Sequence, residues 1–350
     1  MSSIGRCVYL SHFEKQKASL KEGNGALIFF SLHIPEEYSP NFPEQIRKVC
    51  RWLTEQDYRI IADIDDTTPS LFGMSTVQEL KEQLGLYAIR PDFGFSQQEI
   101  CNMARQVPIA LNASTRTDQE IEEIALIQPG ALAMFNFYPR AETGMDSEFL
   151  FECVTALHQA GLSVSGFVPG DDDRRGPLHE GLPTLEAHRT IAPSVGAIDL
   201  IRTYGIDQVF IGDPGLSDLE ERIIESWNRE GVILLPVWLA PGYERFYDVN
   251  LSSRRDSPKG FIRIEESRNT LKPEGMIRPD SVAQKRSAGS ITIDNEKYLR
   301  YQGEVQLVLS DRPADERINV IGRISPRHLL LASLITRGEK FRLIPMEKDE

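Results

Sequence analysis

The chain has 350 residues, 41% of them hydrophobic and 26% charged, with a formal net charge of −13. That length suits one large domain or two unequal ones, and the acidic balance argues against nonspecific nucleic-acid binding, which depends on neutralising phosphate. No apolar run approaches a membrane span, no basic start precedes an apolar core at the N-terminus, and Cys7, Cys50, Cys101 and Cys153 form no CxxC pair, so buried reduced thiols in a cytoplasmic protein are expected.

Strand and helix periods alternate over the first two-thirds. Residues 6–10 (RCVYL) read as a strand followed by a short polar helix. Residues 26–33 are a second strand, and residues 42–55 have helical spacing through Ile46, Val49, Cys50 and Leu53. Residues 59–64 form the third strand. A helix over residues 75–84 opens on Ser75 and Gln78, spaced as a capping box. Residues 87–90, leading into Asp92, are the fourth strand, and Ser96 with Glu99 caps the next helix. Residues 108–112, 131–137, 162–168 and 208–212 supply strands five to eight, with helices over 117–127, 147–160 and 191–204 between them. Eight strand–helix units are the arithmetic of a (β/α)8 barrel. An open doubly wound sheet binding a dinucleotide would carry a GxGxxG turn after its first strand, and none is present. The pattern changes after Pro241. Residues 241–260 read as a linker, and short strand-like runs at 261–264, 291–293, 304–309, 317–321 and 341–344 imply a smaller β-rich domain. The expected division is a catalytic barrel over 1–240 and a β domain over 241–350.

Barrel chemistry sits where strands run out into the following loops. Strand ends here form a polar ring: Tyr9, Ser31, His33, Asp63, Asp92, Asn112, Ser114, Asn136, Tyr138 and Asp213. The seventh strand runs into Arg174-Arg175-GPLHEGLPTLEAH-Arg189, a charged, turn-rich loop at a place where barrels commonly hold phosphate. No lysine lies in the strand runs, which argues against Schiff-base chemistry. The ring has too few histidines for a clustered metal site, and there is no GxSxG elbow. Carboxylates, amides and arginines remain. They suit a hydrolase or binder of an anionic, phosphorylated small molecule, with paired carboxylates as in glycoside hydrolysis.

Residues 174–189, together with IALNAST at 109–115, NFYPRAETG at 136–144, IGD at 211–213, ITIDNEKYLRYQG at 291–303 and PADERINVIGR at 313–323, resemble the 6-phospho-N-acetylmuramidase family over most of the chain. The resemblance implies a barrel followed by a cyclophilin-like domain. It also implies cleavage, without a cofactor, of the β-1,4 bond of N-acetylmuramic acid 6-phosphate–N-acetylglucosamine in peptidoglycan recycling. It implies an acidic catalytic pair drawn from Asp63, Asp92, Glu180 and Asp213, and anion binding by Arg174, Arg175 and Arg189. His33, Asn112, Asn136 and Tyr138 are expected to contact this phosphorylated disaccharide. Arg268, with Glu265 and Ser267, is the β domain's best candidate for reaching it. That domain is expected to cover the barrel mouth or form a homodimer contact, and peptidyl-prolyl isomerase activity is suggested for it by fold analogy alone. The chain departs from the family pattern at Phe135, in its shorter first connection, and at Tyr9-Leu10-Ser11. Those departures motivate a second reading, a phospho-sugar sensor without catalysis.

Overall fold

Eight short apolar strands build the first part of the chain: β1 Ser3–Val8, β2 Leu27–Ser31, β3 Arg59–Asp65, β4 Ala88–Phe93, β5 Ala110–Asn112, β6 Leu132–Met134, β7 Ser163–Val168 and β8 Gln208–Ile211. The computed structural model describes residues 3–346 other than 21, 272 and 274. The strands pair in parallel in the order β4-β3-β2-β1-β8-β7-β6-β5, and a parallel bridge from Ile89 to Ile109 joins the two ends of that row. The result is a closed eight-stranded parallel barrel with helices between its strands. Its interior is filled by Cys7, Phe29, Ile61, Ala88, Ala110, Met134, Phe167 and Phe210. Burial on both faces explains why the strands read as continuous apolar runs without alternation.

The helices follow from local signals. Phe42–Glu55 starts with proline in its first turn and buries Phe42, Ile46, Val49, Cys50 and Leu53, a stripe at spacings of three and four. Ser96 and Glu99 close a reciprocal capping box, as do Thr117 and Glu120. The box expected from Ser75 and Gln78 lies one residue later. Thr76 caps the helix by accepting from the Glu79 amide, and the Ser75 amide donates to the Glu79 carboxylate. Gln78 donates to Glu82. The first connection holds a 3-10 turn, Leu10–His12, and a short helix, Phe13–Ser19.

The chain divides into two compact units, Met1–Asp218 and Leu219–Glu350. The second contains a seven-stranded sheet in the order β10-β15-β9-β14-β12-β13-β11, from β9 Ile233–Leu239, β10 Leu251–Ser252, β11 Phe261–Arg263, β12 Ser290–Asp294, β13 Val305–Val308, β14 Ile318–Ile324 and β15 Lys340–Pro345. Its pairs are antiparallel except β9 with β15. An antiparallel bridge between Ser253 and Ile264 brings the two edges of this sheet together. The expected boundary at 240 leaves β9 with the barrel, whereas the strand pairs inside the second sheet. An apolar strand after a helix continues the barrel's rhythm in sequence, and only long-range pairing reveals which sheet it joins. The stretch read as a linker, 241–260, holds a short 3-10 turn and β10, with Phe246 and Leu251 buried. Among the described residues no helix is long and apolar enough to cross a membrane.

Candidate active site

Register places the central side chains. Ser31 on β2 stands beside Asp63 on β3, and Asp63 stands beside Arg90 on β4. Asp92 lies two residues beyond Arg90, and residues two apart on a strand share a face. The Arg90 guanidinium, 3% exposed, donates through Nη1 to Asp63 Oδ1 at 2.6 Å and to Asp92 Oδ1 at 2.9 Å. Its Nη2 donates to Asn136 Oδ1. Asn112 Nδ2 donates to Asp92 Oδ1 at 2.6 Å, and Ser31 Oγ to Asp63 Oδ2 at 3.2 Å. His33 lies between the two carboxylates, with Nδ1 3.6 Å from Asp63 Oδ2 and Nε2 3.5 Å from Asp92 Oδ2. Ser31, His33, Asp63, Arg90, Asp92 and Asn136 line a cavity of about 560 Å³ at the mouth of the barrel, shared with Phe29, Phe93, Phe137, Phe167 and Arg175.

This environment drives the two carboxyl groups apart. Burial acts to raise Asp92, but hydrogen bonding to His33, the charge of Arg90 and the Asn112 amide outweigh it and hold the carboxyl well below the usual carboxylate range. Burial also pushes Asp63 up, and the negative charge of Asp92 adds to that. Arg90 and His33 oppose the rise without reversing it. Burial disfavours charge on the His33 imidazole, yet Asp92 and Asp63 prevail and raise its pKa to about 9. The two carboxyl groups are therefore shifted in opposite directions, with Arg90 and His33 between them.

His33, Asp63 and Asp92 also bring one potential ligand atom each within 4.8 Å of one another, a spacing open to a divalent cation. Arg90 Nη1 already donates to both carboxylates, and a protonated His33 adds a second positive charge. A metal ion there would have to share both carboxylates with a buried guanidinium.

The loop after β7 is braced by its own polar groups. Asp213, 2% exposed, accepts from the backbone amides of Gly170, Arg175 and Leu182 at 2.9–3.2 Å. Arg189 is buried, with its Nε and Nη2 on the Glu186 carboxylate and its remaining donors on the carbonyls of Glu180, Gly181 and Arg140. Glu180 is exposed and its Oε2 accepts from the Ala141 amide. Arg174, half-buried, and Tyr138, held by its amide to the Pro183 carbonyl, do not line the cavity. Arg175 does: its guanidinium lies over the Tyr9 ring at 4.8 Å and the Phe137 ring at 6.0 Å. Tyr9 itself is fully buried, its hydroxyl donating to the Gly212 carbonyl at 2.6 Å. Of the expected site residues, the cavity brings together His33, Asp63, Asp92, Asn136 and Arg175, with Asn112 bonded directly behind Asp92. In the second unit Arg268 Nη2 donates to the Arg300 carbonyl, Nη1 lies 3.6 Å from Glu304, and the guanidinium stacks on Tyr301.

Two models of the 6-phospho-N-acetylmuramidase family match, the N-terminal one over residues 4–225 and the C-terminal one over residues 241–344. The chain belongs to this family. No curated protein matches it. Among solved structures, a conserved protein of unknown function from Enterococcus faecalis is 32% identical, with 99% of this chain and 97% of that one covered and a TM-score of 0.86. An uncharacterised B. cereus protein is 23% identical over 98% and 99% of the two chains, with a TM-score of 0.74, a likeness of fold.

For a 6-phospho-N-acetylmuramidase family member, the residue that sequence reasoning missed is Arg90. It sits inside an apolar strand, where an arginine reads as an interruption. The usable signal was its spacing of two from Asp92, which puts both on the barrel's inner face. The aromatic lining of the cavity was missed for the opposite reason: Phe29, Phe137 and Phe167 look like ordinary core residues.

Proposed function

We propose that this chain is a glycosidase that cleaves the β-1,4 bond between N-acetylmuramic acid 6-phosphate and N-acetylglucosamine, with Asp63 and Asp92 as the working pair. The observation that carries this reading is the pair itself. Two carboxyl groups accept from one buried arginine at the mouth of a barrel, and their surroundings hold Asp92 low and push Asp63 up in pKa. Family membership supports the substrate class. Asp63 protonates the bridging oxygen as the bond breaks. Asp92 attacks the anomeric carbon, and water then displaces it while Asp63 accepts that water's proton. Both carboxylates accept from the same Nη1, so their oxygens lie within the short separation typical of retention and below that of inversion. Arg175 faces the cavity and serves the phosphate or lactyl carboxylate of the substrate, because a guanidinium matches either anion through paired hydrogen bonds.

The test is incubation of the protein with the phosphorylated disaccharide and measurement of free N-acetylglucosamine. We expect turnover, with Asp63→Asn and Asp92→Asn each lowering kcat by on the order of 10³-fold, and an initial product of retained configuration by NMR. A folded protein that binds the disaccharide but releases nothing would establish the sensor reading instead.

A further inference from the structure

Phe93 is the last residue of β4, one position past Asp92, and it is 75% exposed. Large aromatic groups contribute most when buried, so a phenyl ring left in water at a cavity edge calls for an explanation. Of the other cavity phenylalanines, Phe135 is buried. Phe29, Phe137 and Phe167 pack edge-to-face with one another at centroid distances of 5.2–6.3 Å. Phe93 has no aromatic partner among the described residues.

Its position is imposed by the backbone. Simple strand alternation breaks just before Phe93. A bulge between Ile64 and Asp65 shifts the register so that Asp65 pairs with Phe93, and the Asp66 amide donates to the Phe93 carbonyl at 3.2 Å. Bulges at strand ends re-aim side chains beside active sites. Gly94 follows at φ 83°, with the Asp66 side chain occupying the space where a Cβ would go, so the turn past Phe93 suits glycine alone. The ring is held at the edge of the same cavity that holds Asp63 and Asp92.

The cavity is also divided in character. Arg90, His33 and Arg175 place positive charge around Asp63 and Asp92, which suits the sugar that bears phosphate and carboxylate. At Phe93 an apolar ring stands beside Asp65, its strand partner, and Pro35 and Glu36 also line the cavity; carboxylates there disfavour an anionic sugar. We infer that Phe93 is a specificity-determining stacking platform for the uncharged leaving sugar, its ring lying against the apolar C–H face of that hexopyranose. This inference rests on the glycosidase reading above and assigns the position of the second sugar.

The experiment compares kcat/KM for the phosphorylated disaccharide with that for the glycosyl fluoride of the same phosphorylated sugar, whose leaving group is too small to reach Phe93. In Phe93→Ala we expect the disaccharide-to-fluoride ratio to fall about tenfold, the loss carried mainly by KM, as for the loss of one aromatic contact. Phe93→Trp should restore the ratio. An equal loss on both substrates, or no loss on either, would overturn the proposal. If wild-type protein hydrolyses neither substrate, the glycosidase reading fails, and Phe93 is then judged by binding alone. Saturation transfer from protein aromatic protons to N-acetylglucosamine should be present in wild type and lost in Phe93→Ala, and its absence in wild type overturns the platform.

Discussion

Arg90 makes the two aspartates a pair. Without a shared donor, two carboxylates on neighbouring strands of a buried face would repel each other and both would rise in pKa. With Nη1 between them, Asp92 keeps its charge and burial moves Asp63 instead. His33 extends this balance and gives it a pH dependence. Its folded-state pKa, about 9, lies above the ordinary histidine value. The imidazolium's stabilising contribution is therefore complete below about pH 6.5 and is lost as pH rises through about 9. We expect kcat/KM to fall on the alkaline side with a midpoint near that value, and His33→Gln to lose that limb while reducing activity across the range. A pH–rate profile of the two proteins checks this, and an unchanged alkaline limb in the variant would count against His33. At this scale the sequence was partly readable. Asp63, Asp92 and His33 stood out because polar residues at the ends of apolar strands are conspicuous. Which two acids share a donor was not legible, because it depends on the register between two strands.

The loop from Pro169 to Arg189 is the element in which sequence pattern and structure diverge most. Its arginines suggested a clamp, and one of them, Arg189, serves the loop itself with Glu186. Arg189 is bonded to Glu186 and to three backbone carbonyls, and Asp213 gathers three backbone amides from the other side. A turn-rich loop without regular pairing must satisfy its backbone through side chains, and a high density of charged residues is what that requirement looks like in sequence. Arg175 is the arginine that this bracing leaves facing the cavity. Replacing Asp213 with Ala leaves three backbone donors without their acceptor in a buried place. We expect a loss of roughly 2–4 kcal/mol in stability, read as a lower urea midpoint, together with a raised KM as Arg175 loses its anchor.

At the scale of the whole molecule, the acidic chain meets most of its buried carboxylates with donors, and Asp294 is an exception. It is 6% exposed at the end of β12 and makes no side-chain hydrogen bond among the described residues. Its backbone amide pairs with the carbonyl of Glu304, whose carboxylate is held by Arg263. Burial, and then the charge of Glu304, raise Asp294 to about 7, with Asp315 adding to the rise and Arg263 and Arg268 opposing it. A carboxyl raised above its unfolded value of about 3.9 contributes stability below that value and loses it as pH rises through about 7. Wild-type stability should therefore decline across that window, and Asp294→Asn should remove the decline. The variant should show a higher urea midpoint than wild type at pH 8 and a smaller difference at pH 5.

By itself the sequence determined the eight strand–helix units, the caps that start several helices and the polar positions at strand ends, because each of these depends on residues close together in the chain. The family resemblance was legible for the same reason, as ordered strings along the chain. Tertiary structure alone decided that β9 joins the second sheet and that Arg90 couples Asp63 to Asp92. It also decided that Arg175 faces the cavity while Arg189 turns inward to the loop. Those outcomes depend on which distant strands lie side by side and on which donors a folded loop must use for itself, and no local pattern encodes either.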